Sequence, residues 1–399
     1  MSRPYDVMIA GHLCMDIIPR FPDTGAKNIS EIMRPGKLVN VNEAMISTGG
    51  PVSNTGLNMK KLGNNVSFCA RVGDDKFGKM TIELLDETGN ADGVKVAEGK
   101  ASSYTVAIAP PNIDRIFLHH TGTNDTFASE DLDKDLISQC RHFHFGYPPL
   151  MKRICEDDGE ELKKVFQIAK EAGATTSCDM ALPDPSSPAG KLNWPRILEK
   201  ILPFIDIYLP SVEETFFMLD PEGFLKMKKD NDDADLIDVL TPADYSSLAD
   251  RVLSMGTKMV SLKSGHRGFY LKTSSKDSFE NMGEARPGDS DNWAKRELWA
   301  PAFEVDNFGS ATGSGDSSIA GFLSAFLRGL SIEDSLRYAV CLGLQNVRVL
   351  DAVSGIGTWE ESTEILTSKL PQIDAKIQAE GWNWSEDHRL WSGPEDPLA

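Results

Sequence analysis

Apolar positions along this chain follow two rhythms. Residues 7–11, Val-Met-Ile-Ala-Gly, form a short uninterrupted run stopped by glycine, the pattern of a strand buried on both faces of a parallel sheet. Residues 142–146 alternate, and 175–179 and 205–209 read as further strands. Residues 259–270 read as two strands joined by a tight turn. Between these runs the period lengthens to 3.6. A charged amphipathic helix over 157–173 is closed by Gly173. A second carries Ile319, Phe322, Leu323, Phe326, Leu327 and Leu330, and a third, over 335–349, carries Leu336, Ala339, Val340, Leu344 and Val347. Strands alternating with helices predict an α/β fold, a doubly wound and mostly parallel sheet flanked by helices. Ligands of such sheets bind beyond the carboxyl ends of the strands.

Other stretches break the rhythm. Residues 19–48 carry Pro19, Pro22, Gly25, Pro35 and Gly36, with an apolar patch at 37–41, and suit short strands and loops projecting from the sheet. A Lys-rich then Asp-rich run over 220–245 reads as a solvated insertion, and 275–296 as a second surface excursion. The tail from Glu380 holds Trp382, Trp384 and Trp391, which could dock on the body or on a partner chain.

The chain has 399 residues, 40% hydrophobic and 25% charged, enough for a large core in one or two domains. A net charge of −19 argues against nucleic acid and against an anionic membrane surface as partners. No apolar run approaches the roughly 18 residues that span a bilayer, and the first residues lack a signal-peptide core. The six cysteines are scattered without a C-x-x-C pair, as expected of reduced core residues in the cytoplasm.

The strongest chemical signal is the stretch Asn307-Phe-Gly-Ser-Ala-Thr-Gly-Ser-Gly-Asp-Ser-Ser318, which runs into the helix beginning near Ile319. A glycine-punctuated loop at a helix N-terminus offers unpaired N–H groups and a positive dipole end to an anion. Asp316 beside such a nest fits a carboxylate that takes a proton from a hydroxyl attacking phosphorus, hence phosphoryl transfer. The same letters also fit an ordinary helix cap. Asp16, just past the first run, and Asn54, near a helix start after Gly49-Gly50, have comparable plain readings as a loop carboxylate and a cap. Asp74 and Asp75 fit a loop whose carboxylates bind backbone N–H groups better than a metal pair. His142 and His144 share one strand face, with no third ligand nearby in sequence, and read as structural.

Ala-Thr-Gly-Ser-Gly-Asp followed by Ile-Ala-Gly-Phe resembles the C-terminal signature of the ribokinase-like (PfkB) carbohydrate kinases. Gly49-Gly50 with Asn54, then Leu62-Gly63 and the 66–78 run, resembles the N-terminal one. The likeness spans about residues 5–360 and implies a ribokinase-like kinase domain over 1–399. It also implies a small β lid formed by about 16–48 and 101–122. It implies ATP and Mg2+ as cofactors and phosphorylation of a sugar hydroxyl, with Asp316 as base and the amides of Gly313, Ser314 and Gly315 as anion hole. Asp16, Gly49, Gly50 and Asn54 would bind the sugar, while Lys263, Gly265, Thr312 and Asn346 would contact the nucleotide. Glu214 would influence magnesium through water, and a homodimer could form through the lid.

The chain departs from the family pattern in places. Ser310 replaces the leading Asp, which makes a monovalent cation doubtful, and Ser211 stands for the Asn of the Asn-x-x-Glu motif. Asp179 keeps only part of a polar motif lining the cleft. Pro51 disfavours ribose. A nucleoside kinase of the same fold, with Phe21 and Phe117 clamping the base, and a silent sugar- or nucleotide-binding relative are the rival readings.

Overall fold

The structure, a computed structural model, describes residues 3–87, 90–113, 115–375, 377 and 379–398. In chain order its strands are β1 (Tyr5–Gly11), β2 (Cys14–Pro19), β3 (Ala44–Gly49), β4 (Val66–Gly73), β5 (Asn90–Ala97), β6 (Tyr104–Ile108), β7 (Ile116–His120) and β8 (Cys140–Gly146). Then come β9 (Thr175–Asp179), β10 (Ile207–Tyr208), β11 (Met259–Lys263), β12 (Phe269–Thr273), β13 (Glu297–Ala300), β14 (Asn383–Ser385) and β15 (Leu390–Ser392). Eleven of these make one sheet in the order β14-β15-β13-β12-β11-β10-β9-β8-β1-β4-β5. The other four make a second sheet, β3-β2-β6-β7. From β5 to β11 every pairing in the large sheet is parallel, and beyond β11 every pairing is antiparallel.

The apolar runs explain the layering. Val7 and Ile9 pack with the helices Pro51–Lys61, Ser314–Leu327 and Ile332–Val347, while Met8 and Ala10 face the helices Lys152–Glu171, Trp194–Ile201 and Pro242–Ser254. A strand that buries alternate residues against two helical layers has no solvent face, hence the continuous hydrophobic spelling. The parallel half therefore points β1, β8, β9, β10 and β11 the same way, and their carboxyl ends gather His12, Tyr147, Asp179, Ser211 and Lys263 along one rim.

Several sequence expectations are corrected. Asp16 lies inside β2, not in a loop beyond a strand, because the chain enters the second sheet at Cys14 almost directly after leaving β1. The patch at 37–41 is no strand; β3 starts at Ala44. The 220–245 run is not a solvated excursion. It forms the helix Pro221–Asp230 and starts Pro242–Ser254, burying Phe224, Leu236, Leu240 and Tyr245 beneath its charges. Within 275–296, Phe279, Met282 and Trp293 are buried and Trp293 packs on Phe322 and Phe326. The helix expected over 157–173 is part of Lys152–Glu171, interrupted at Glu156–Gly159, where Asp157, Asp158 and Gly159 have positive φ. The tryptophan tail docks on its own body: β15 extends the sheet from β13, and Trp382 packs edge-on against Trp299.

The two histidines on β8 are both buried, with ring nitrogens 2.6 and 2.8 Å from Ser177 Oγ, and His142 Nδ1 and His144 Nε2 have no partner. Asp75 caps the helix Lys76–Asp86 through Gly78 N–H and also accepts from Ser102 N–H, while Asp74 accepts from Gly99 N–H. No group of three potential metal-ligating side chains occurs among the described residues.

Candidate active site

The helix Ser314–Leu327 opens on Gly313, whose φ of +75° and contact with Ala352 leave no room for a side chain. Ser314 N–H already donates to Ala311 O at 3.2 Å, so of the three expected amides this one is engaged. Gly315 N–H lies in the first turn, where the helix supplies no acceptor. A Cβ on Gly315 would come within 3.2 Å of Lys263 Cε, so the absence of a side chain lets that lysine lie against the turn. Ser310 Oγ donates to Thr312 Oγ1 at 3.0 Å and accepts from Thr312 N–H at 3.1 Å. It also accepts from Arg115, which reaches across from the approach to β7 at 2.7 Å.

Asp316 is 1% exposed, and its carboxylate is not spent on capping its own helix. Asn54 Nδ2 donates to Oδ2 at 2.8 Å, and the Tyr147 hydroxyl lies 3.0 Å from both oxygens. Burial pushes the carboxyl above its ordinary pKa, while Asn54, Lys263 and Tyr147 hold it back toward the charged form. Such a carboxylate is buried, oriented by donors from two other elements, and basic enough to accept a hydroxyl proton. Asn54 Oδ1 is left buried without a partner. Tyr147 itself sits in the left-handed region at φ +59°, directly after β8.

Lys263 ends β11 and is tied to Asp179 Oδ1 and, at 2.7 Å, to Leu209 O. Burial opposes its charge, but the Asp179 and Glu214 carboxylates outweigh burial and raise its pKa. Glu214 forms a capping box with Ser211, accepting Ser211 N–H at 2.6 Å and donating its own N–H to Ser211 Oγ at 3.2 Å. Burial pushes its carboxyl up, with Lys263 working against that. The cap and a water-mediated metal role are compatible, since one carboxylate oxygen suffices for the cap.

Asp16 lies against Gly49, where any Cβ would strike its carboxylate, and burial raises its pKa to about 6. Gly50, at φ +85°, packs against His12 and starts the helix that carries Asn54. The structure thus brings together Asp16, Gly49, Gly50, Asn54, Gly313, Ser314, Gly315, Asp316, Lys263 and Glu214 as one connected neighbourhood. Thr312 borders it through Ser310. Gly265 is itself exposed, in the turn Gly265–Arg267 whose Arg267 is buried. Asn346 is fully enclosed, its Nδ2 3.4 Å from Asp351 O and its Oδ1 without a hydrogen-bond partner. Phe117 is 48% exposed on β7, beneath the Arg115 guanidinium.

Sequence reasoning missed Tyr147, His12, His119, Thr105 and Arg115. One signal was available for Tyr147 and His12: each directly follows a glycine that closes a predicted strand, the rim where ligands of such sheets bind.

A family model described as pfkB family carbohydrate kinase matches residues 6–358. An "uncharacterized sugar kinase" of Archaeoglobus fulgidus is 24% identical over 279 residues, 70% of this chain and 89% of that protein. The "Probable fructokinase-6, chloroplastic" of Arabidopsis thaliana is 25% identical over 330 residues, 80% and 74% of the two chains. The solved Arabidopsis thaliana ribokinase complexed with ribose and ATP shares the fold at a TM-score of 0.65 and 17% identity. That match covers 92% of this chain and 99% of the other.

Proposed function

The chain belongs to the pfkB family of carbohydrate kinases, and on that footing we propose how its residues carry out ATP-dependent phosphorylation of a sugar hydroxyl. The observation that carries the reading is the Asp316 carboxylate, buried in the first turn behind Gly313 and Gly315 and held by Asn54 and Tyr147. Asp316 accepts the proton of the sugar hydroxyl as that oxygen bonds to the γ-phosphorus of ATP and the bond to the ADP oxygen breaks. The Gly313 and Gly315 amides and the helix dipole stabilise the charge on the phosphoryl oxygens. Ser314 N–H joins them only by leaving Ala311. Lys263 supplies a positive charge at the same turn.

Asp16 and Asn54 Oδ1 accept hydrogen bonds from the sugar, and Gly49 and Gly50 let it approach the backbone. Thr312 and Gly265 line the nucleotide side. The buried carboxylate of Glu214 near Asp179 and Lys263 suits an outer contact to Mg2+, which holds several waters and few protein oxygens and supplies charge neutralisation along the phosphates. A monovalent cation does not suit Ser310, whose hydroxyl is already shared by Arg115 and Thr312.

The second sheet closes the sugar side as a lid and limits access of water. Exposed Ile116, Phe117 and Leu118 on β7 and Ile46 on β3 support a homodimer through this sheet, which sedimentation or light scattering tests. All six cysteines are free and buried, which supports a reducing compartment such as the cytoplasm. No helix among the described residues is long and apolar enough to cross a membrane.

The function is tested by ADP formation with ATP and Mg2+ against aldoses, ketoses, sugar acids and nucleosides. Sugar-dependent turnover is expected. Turnover with nucleosides alone would favour a base-binding relative using Phe117, and binding without turnover a silent one.

A further inference from the structure

One line of side chains runs through the second sheet back to the main one and ends on an atom without a partner. Asp16 Oδ1 accepts the thiol proton of Cys14 at 3.3 Å. That commits the single proton of Cys14, so in its 3.6 Å contact with Thr105 the hydroxyl is the donor. Thr105 Oγ1 in turn accepts from His119 Nδ1 at 3.0 Å. A neutral imidazole carries one N–H, so His119 Nε2 is a bare acceptor and takes the Nε2–H of His12 at 3.4 Å. His12 Nδ1 is then bare too. It is buried with no hydrogen-bond partner, in a residue 2% exposed. Burial favours the neutral form of both rings, pushing His12 down to about 3 and His119 below the usual imidazole range.

The position of that atom is informative. The His12 ring is 6.3 Å from the Tyr147 ring, whose hydroxyl holds Asp316. A Cβ on Gly50 would lie 2.6 Å from His12 Nδ1, just as one on Gly49 would strike the Asp16 carboxylate. The glycine pair therefore lies between two acceptors, a carboxylate and a bare imidazole nitrogen. A buried acceptor left unpaired is unfavourable, and a ligand hydroxyl relieves it.

We propose that His12 reads the sugar: its Nδ1 accepts a hydrogen bond from one substrate hydroxyl, while His119, Thr105, Cys14 and Asp16 hold the ring in the Nε2–H tautomer. His12 is a specificity residue, and His119, from the second sheet, is a positioning residue that makes tautomer and lid docking one event. The ligand class is a polyol or sugar with a free hydroxyl beside the one Asp16 accepts; deoxy and O-methyl analogues at that carbon are refused. The proposal rests on the sugar-kinase reading above.

The first test needs no turnover. With seven histidines in the chain, a spectrum of protein carrying 15N-histidine resolves ring tautomers, and the His12 signals are those missing from His12→Asn. The expected result is an unprotonated Nδ1 that moves on addition of an accepted sugar. An Nδ1–H, or a signal that the sugar leaves unmoved, overturns the proposal. Kinetics supply the second test. Wild-type kcat/KM is expected to favour the parent sugar over one deoxy analogue by on the order of 10- to 100-fold. In His12→Phe that preference collapses to about threefold or less, and in His12→Asn, whose amide oxygen sits near the Nδ1 position, part of it returns. His119→Phe is expected to raise KM more than it lowers kcat and to shift the His12 tautomer signals. Equal deoxy discrimination in wild type and His12→Phe overturns the role of His12. Absence of sugar turnover with nucleosides accepted instead would count against the sugar-kinase reading, while the tautomer spectrum still judges the relay on its own.

Discussion

The phosphoryl side and the sugar side of this cleft are built differently. The proposed phosphoryl side rests mainly on the body of the main sheet: Gly313–Asp316 open one helix, Asn54, Tyr147 and Lys263 converge from its neighbours, and Arg115, ahead of β7, reaches in from the second sheet to Ser310. Its proposed base, Asp316, is 1% exposed and held by Asn54 and Tyr147. The sugar side is split between two sheets. His12 follows β1, whereas Asp16, Thr105 and His119 stand on β2, β6 and β7. One side is preorganised, and the other exists only while the two sheets stay docked. That division suits a kinase, because the phosphoryl geometry is common to every turnover whereas the substrate must enter and leave.

If the phosphoryl side is rigid, filling it is ruinous. Gly315→Val, which forces a side chain into Lys263, is expected to lower kcat by about 10²–10³-fold with a smaller change in sugar KM, read by steady-state kinetics. The sugar side predicts the opposite split. Asp16→Asn should raise sugar KM by roughly 10- to 100-fold and lower kcat less.

The same residue gives a pH signature. On the proposed reading Asp16 holds sugar hydroxyls most strongly as the ionised acceptor, and burial raises its pKa to about 6. The kcat/KM of the wild type should therefore fall below pH 6 by about tenfold per pH unit. Stability runs the other way. A folded pKa above the unfolded value gives a contribution that is full in acid and lost as pH rises through about 6, so Asp16→Asn should raise Tm at pH 8 and leave it nearly unchanged at pH 4.

Tyr147→Phe sharpens the comparison further. Removing its hydroxyl takes a donor from the ionised form of Asp316, so the base becomes easier to protonate. We expect kcat to drop about tenfold and the acidic limb of the pH profile to move upward, with sugar KM little altered. Phe117→Ala is the smallest effect: a change of about twofold or less with sugars, since its ring is half exposed and lies beneath Arg115.

The two sides also differed in how far they could be read before folding. Gly313-x-Gly315-Asp316 and the amphipathic helix behind it are contiguous, so the chemistry is spelled in local order. The strands feeding the cleft showed as apolar runs for the same reason. Tyr147 meets Asp316 across 169 positions, and His12 meets His119 across 107; only the sheet order makes them neighbours. Neither letter is distinctive by itself, and the left-handed backbone of Tyr147 leaves no trace in composition. Charge misled where it hid packing: Lys226 to Asp235 drew attention away from Phe224, Leu236 and Leu240, which are buried.

The most direct measurement is the kcat of Asp316→Asn against wild type on the best sugar of the panel, at saturating ATP and Mg2+. A base held by Asn54 and Tyr147 in the first helical turn predicts a fall of about 10²–10⁴-fold with sugar binding retained. Turnover within a few-fold of wild type would contradict the assignment of Asp316 as the base.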